Sequence, residues 1–194
     1  MYKLLCIYSV PTICKDAMDV TIILDGNGKK KFPEERTFVN SVATALDIPE
    51  GPEDEEGGSS ELTVIPFGVN PDIAKFKPEE RYSVKNLGTP PTLDRALEKY
   101  KDEQYNREEK FNVSKALILV IDCNRPVTAR TKEIVKDMRT ANQIVTVLCI
   151  GKDTVKSAFE NGIPDHVEVV PTREEITDPK LVAKLVNESC VHGK

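Results

Sequence analysis

The chain has 194 residues, 39% of them apolar and 30% charged, which is enough for one domain with a full core and is ordinary for a globular protein. Its 27 basic and 32 acidic residues leave a formal charge of −5, so a nucleic-acid role has little electrostatic support. No apolar run in the sequence approaches the roughly 20 residues needed to cross a bilayer.

In chain order, Met1-Tyr2-Lys3 followed by Leu4–Val10 has the order of a signal peptide, one positive charge and then an apolar stretch, without a clean small-x-small site after it. Residues 1–13 are therefore expected to be a leader or an N-terminal extension, 14–190 a single domain and 191–194 a tail. Val20-Thr21-Ile22-Ile23-Leu24 is a short run dry enough for a central strand buried on both faces. It ends on Asp25 and the Gly-rich turn Gly26-Asn27-Gly28-Lys29. In an open parallel sheet, the crevice at the carboxyl ends of the strands is where ligands bind.

Pro33-Glu34-Glu35 suits the first turn of a helix. Phe38, Val42, Ala45 and Leu46 recur behind it at helical spacing, and Pro49 closes it. Residues 50–60 hold five acids and no large apolar group, which reads as a solvated loop rather than a cation surface. Leu62–Gly68 is a second strand, with Pro66 suggesting an edge or bulge, and residues 69–82 an irregular strand and turn. Thr92 can cap a helix from Leu93 to about Tyr105 that buries Ala96, Leu97 and Tyr100. Lys115–Asp122 is the second dry strand and again ends in aspartate. Val127–Ala141 is amphipathic, with Ala129, Ile134, Val135 and Met138 inward. Ile144–Gly151 is a third dry strand, Thr154–Phe159 a short helix, and Val167–Val170 a further strand. Arg173–Cys190 is a last helix presenting Leu181, Val182, Leu185 and Val186. Strands that alternate with helices and are apolar on both faces require a three-layer α/β fold, a mainly parallel, doubly wound sheet between helices.

Of the five cysteines, Cys14 precedes the first core strand and Cys190 ends the last helical pattern, so a bridge between them would close a loop around the whole domain. No Cys/His cluster has zinc spacing, and the histidines are His166 and His192. The sequons at Asn112 and Asn187 are compatible with a secreted chain. Asp25-Gly26-Asn27-Gly28-Lys29 fails as an EF-hand loop, because Lys29 and Arg36 stand at its fifth and twelfth positions. Neither a phosphate loop nor G-x-G-x-x-G is present. Cys123 beside Asp122 is the best-placed nucleophile, but no histidine can be placed near it, so it reads as an unremarkable loop thiol and Cys149 as core.

Asp25 and Asp122, carried by two buried strands to one sheet edge, offer hard oxygens of the kind that hold Mg²⁺ or Ca²⁺. With Thr89 and Thr92 on a loop able to reach them, this arrangement resembles the von Willebrand factor type A domain over residues 14–190. The resemblance implies a metal-ion-dependent adhesion site. Asp25 matches the first aspartate of its D-x-S-x-S motif, Thr89 or Thr92 its threonine and Asp122 its last aspartate. It also implies flanking cysteines in extracellular members, as Cys14 and Cys190 stand here. Asn27 and Lys29 replace the two serines. Asn27 retains a carbonyl oxygen, whereas the Lys29 ammonium occupies ligand space, so weakened or absent metal binding is expected. The implied function is non-enzymatic: a secreted module binding a matrix or cell-surface protein, collagen-like as first expectation, with Lys29 and Asn124 facing the partner. The alternative is an intracellular scaffold of the same fold.

Overall fold

The computed structural model describes residues 18–25, 33–48, 60–67, 74–75, 93–102, 114–141, 143–152, 159 and 163–190, and structural statements concern these. The dry run around Ile22 becomes β1 (Met18–Asp25). Ile22, Ile23 and Leu24 have no exposed surface, because both faces of the strand are covered. The other strands are β2 (Glu61–Phe67), β3 (Ala74–Lys75), β4 (Ser114–Asp122), β5 (Ile144–Ile150) and β6 (His166–Val170). They form one sheet in the order β3-β2-β1-β4-β5-β6. All neighbouring pairs are parallel except β2 with β3. β3 pairs only with Thr63 and Val64, so Pro66 lies beyond the part of β2 that β3 covers, where a missing N–H is tolerated.

Helix α1 (Pro33–Ala45) and helix α4 (Pro179–Ser189) cover one face, and α2 (Leu93–Tyr100) and α3 (Ala129–Thr140) the other. On the first face Phe38 and Val42 of α1 and Leu185 of α4 pack with Ile22, Val64, Ile118 and Leu148. On the second, Leu97 of α2 and Ile134, Val135 and Met138 of α3 pack with Ile23, Leu117, Leu119 and Val147. Each such side chain, buried from water, contributes about 1.5–3 kcal/mol of transfer free energy. The three-layer α/β architecture expected from the alternating pattern is the one observed.

Two local expectations change. Ala129 is exposed, and the buried position at the head of α3 is Thr131, with no exposed surface. Helix phase set by Ile134, Val135 and Met138 turns residue 131, not 129, toward the sheet. The last helical pattern is split into a 3₁₀ turn (Glu174–Thr177) and α4, because Asp178 caps α4 and Pro179 opens it. The helix expected at 154–159 lies outside the described residues except for Phe159, which is buried.

Candidate functional site

The chain lays β2 and β3 on one side of β1, then crosses to place β4, β5 and β6 on the other. The direction of winding therefore reverses between β1 and β4, and the crevice outside the carboxyl ends of those two strands is the topological switch point where open α/β sheets bind ligands. Asp25 ends β1 and Asp122 ends β4. The parallel register, running to Leu24 opposite Val120, sets position 25 beside 121 and one residue short of 122. A strand spacing of about 4.8 Å and a rise of about 3.3 Å per residue put the two Cα atoms about 6 Å apart. The backbone thus brings both acidic positions to one rim.

Asp122 is half-buried and held by its own turn. Its Oδ1 accepts from the backbone N–H of Asn124 at 2.9 Å and from Asn124 Nδ2 at 3.0 Å. Its carbonyl accepts from the Arg125 N–H at 2.9 Å. This aspartate turn uses one carboxylate oxygen twice and leaves Oδ2 without a partner among the described residues. Asn124, expected to face a partner, is exposed, and its amide donates to Asp122. The turn is also anchored to the next strand: the Cys123 N–H donates to the Ile150 carbonyl at 2.9 Å. Cys123 is disulfide-bonded to Cys149, with Cα atoms 5.1 Å apart. This corrects the reading of Cys123 as a loop thiol. The bridge forms because β4 and β5 are neighbours in a register that sets Ile121 opposite Cys149, placing the two cysteines diagonally at the ends of adjacent strands. Cys149 is in the core, as expected.

A second knot lies behind the same rim. Thr128 caps α3 by accepting from the Thr131 N–H at 3.0 Å. Its hydroxyl donates to Asp94 Oδ1, in the first turn of α2, at 2.8 Å. The buried Thr131 hydroxyl donates to the same oxygen. Sequence reasoning missed Asp94. Its only signal was an acid one turn into a helix, which the helix dipole alone accounts for. Also unanticipated was the buried Glu35 of α1, whose carboxylate pairs with Arg173 in the loop after β6.

The other expected site residues fall differently. Asn27, Lys29, Thr89, Thr92, Cys14 and Asn112 lie outside the described residues, and of Asp25 only the backbone is described. Asn187 is exposed on α4, but Ser189, the third residue of its sequon, is buried and donates to the Leu185 carbonyl at 2.8 Å. Cys190 is disulfide-bonded, its partner being outside the described residues. Among the described residues no group of three or more His, Cys, Asp or Glu could hold a metal ion, and no helix is long and apolar enough to cross a membrane. A cavity of about 30 Å³, lined by Asp19, Thr21, Glu61, Thr63, Tyr100 and Lys115, lies at the opposite rim, at the amino ends of β1, β2 and β4. It has room for little more than a water or two.

No protein-family model matches the chain, and no curated protein matches it significantly. Solved structures do. Proximal thread matrix protein 1 of the mussel byssus superposes with a TM-score of 0.71 at 16% identity, over 91% of this chain and 49% of that one. A form of it with a zinc-occupied MIDAS motif matches at 0.70 and 16% identity, over 90% and 49%. Manganese-loaded TRAP protein of Plasmodium vivax matches at 0.55 and 14% identity, over 87% and 75%. The Rpn10 VWA domain matches at 0.53 and 12% identity, over 89% and 95%. The present chain spans about half the length of the mussel protein. Its fold is that of a von Willebrand factor type A domain.

Proposed function

We propose that this fold serves as a non-catalytic, extracellular protein-binding module whose contact surface is the rim at the switch point between β1 and β4. The observation that carries the reading is the Asp122 carboxylate: half-exposed, fixed by Asn124 through one oxygen, with the other free among the described residues. A carboxylate already oriented loses little rotamer freedom when it meets a partner, which favours recognition. Asp122 Oδ2 is suited either to a divalent cation or to a basic partner group.

The donors fit a resident cation poorly. Asn27 and Lys29 stand where the adhesion motif has serine hydroxyls, removing two hard ligands and adding a positive charge. Metal dependence is therefore weak or lost, and recognition runs through the charge of Asp122 at the rim. The zinc- and manganese-occupied structures of similar fold keep a divalent ion as the alternative occupant.

Disulfide bonding at Cys123, Cys149 and Cys190 supports an oxidising compartment, and likeness to a byssus matrix protein supports a matrix setting. A collagen-like matrix protein is the first candidate partner. The second reading is an intracellular scaffold of the same fold, a fold that the Rpn10 VWA domain also has. Mass mapping of the native protein separates the two: a Cys14–Cys190 bridge, or a glycan on Asn112 or Asn187, supports the extracellular reading. Binding to immobilised fibrillar collagen, in magnesium and in EDTA, tests the site. Asp122→Ala is expected to weaken binding by about tenfold or more while EDTA changes it little. Equal binding by wild type and Asp122→Ala would remove the rim from the account.

A further inference from the structure

In the sequence, two stretches precede the helices behind the rim: Asp122–Thr128 before α3, and the one carrying Thr89 and Thr92 before α2. They are 30 or more residues apart in sequence, yet one carboxylate oxygen joins the helices that follow them. Resting on the rim reading above, we propose that Asp94 is a positioning residue for that rim, locking the turn that presents Asp122 to the head of α2. Asp94 Oδ1 accepts from both Thr128 and Thr131. Thr128 caps α3 and stands three residues after Arg125, whose N–H closes the Asp122 turn. The shared acceptor therefore ties the start of α3, and through it the short segment leading from the turn, to the start of α2.

The chemistry of this joint is specific. Thr128 Oγ1 already accepts from the Thr131 N–H, so its single proton goes to Asp94. Thr131 has no exposed surface, and without Asp94 its buried hydroxyl is left only the neighbouring Thr128 hydroxyl at 3.2 Å. A hydrogen bond to a charged acceptor is stronger than one between neutral groups. Removing the Asp94 carboxylate thus frees the α3 cap to move relative to α2, and with it the turn that holds Asn124 against Asp122. The sheet beneath, made by β1, β4 and β5, does not depend on Asp94.

The test is amide hydrogen exchange by NMR on the full chain, comparing wild type, Asp94→Ala, Asp94→Asn and Thr131→Val. In Asp94→Ala the Asn124 amide is expected to exchange about tenfold faster or more, with Leu119 and Val147 unchanged. Asp94→Asn, whose amide oxygen still accepts, is expected to stay within about threefold of wild type, and Thr131→Val to fall between. A second arm titrates Mn²⁺ into Lys29→Ser and into Lys29→Ser with Asp94→Ala, where the added change is expected to weaken binding about tenfold. Unchanged Asn124 exchange in Asp94→Ala, or equal Mn²⁺ affinity in the two Lys29→Ser proteins, overturns the role of Asp94 and leaves the rim standing. Mn²⁺ binding by Lys29→Ser that survives Asp122→Ala instead overturns the rim reading itself. Should Asp94→Ala fail to fold, Thr131→Val with wild-type Asn124 exchange is the refuting result.

Discussion

Replacing both Cys123 and Cys149 by alanine removes the covalent tie between the ends of β4 and β5. The two residues are 26 apart in sequence. The loop-entropy relation for a closed loop of that length gives a loss of about 3.5 kcal/mol at 25 °C. Cys149 has no exposed surface and Cys123 has 2%. Trading two buried sulfurs for methyl groups therefore adds a packing loss in the same direction. For a chain of this size each kcal/mol shifts Tm by about 2–4 °C, so a fall of about 7–14 °C is expected. Urea unfolding followed by circular dichroism, on both proteins without reductant, measures the difference. Mass mapping of a non-reduced digest of the wild type should recover the linked Cys123 and Cys149 peptides. A stability loss below about 1 kcal/mol, or alkylatable thiols at both positions in the native protein, would refute the reasoning.

Three further outcomes follow from the geometry. Phe38→Ala should cost about 3–5 kcal/mol in urea unfolding, because the ring is wholly buried between α1 and the sheet. Asp178 caps α4 by accepting from the Lys180 N–H at 2.8 Å, so Asp178→Ala should cost about 1 kcal/mol and Asp178→Ser much less. The hydrogen bond from Lys101 at 2.9 Å holds the exposed Asp137 carboxyl below its ordinary range. A depressed carboxylate contributes stability above its unfolded-state pKa and loses it as pH falls through the folded value. Lys101→Met should therefore be slightly less stable than wild type near neutrality, with the gap closing as pH falls below the ordinary carboxylate range in a pH series of urea midpoints, and closing equally in high salt.

The layered architecture was legible because several strands are uninterrupted apolar runs, a pattern that only a sheet covered on both faces accommodates. Asp25 and Asp122 were legible as a pair for the same reason: each ends such a strand, and parallel strands end at one rim. The phase of α3 was not, because Ala129 and Thr131 carry opposite expectations from composition alone. Thr131 is turned toward the sheet by helix phase, and its buried hydroxyl finds its acceptor in Asp94, far away in sequence. The Cys123–Cys149 bridge was hidden likewise. Cys149 has the profile of an ordinary core residue and Cys123 that of a loop thiol, and only knowledge that β4 and β5 are neighbours in register brings them together. That the exposed Asn124 amide also completes the Asp122 turn was a local possibility that an asparagine two residues after an aspartate always holds open.

The central proposal, that Lys29 weakens cation binding at the rim carrying Asp25 and Asp122, is tested most directly by isothermal calorimetry with Mg²⁺, Mn²⁺ and Ca²⁺ on the wild type and Lys29→Ser. Little or no heat is predicted for the wild type, and saturable binding for the variant. Micromolar binding by the wild type, or none by Lys29→Ser, would contradict it.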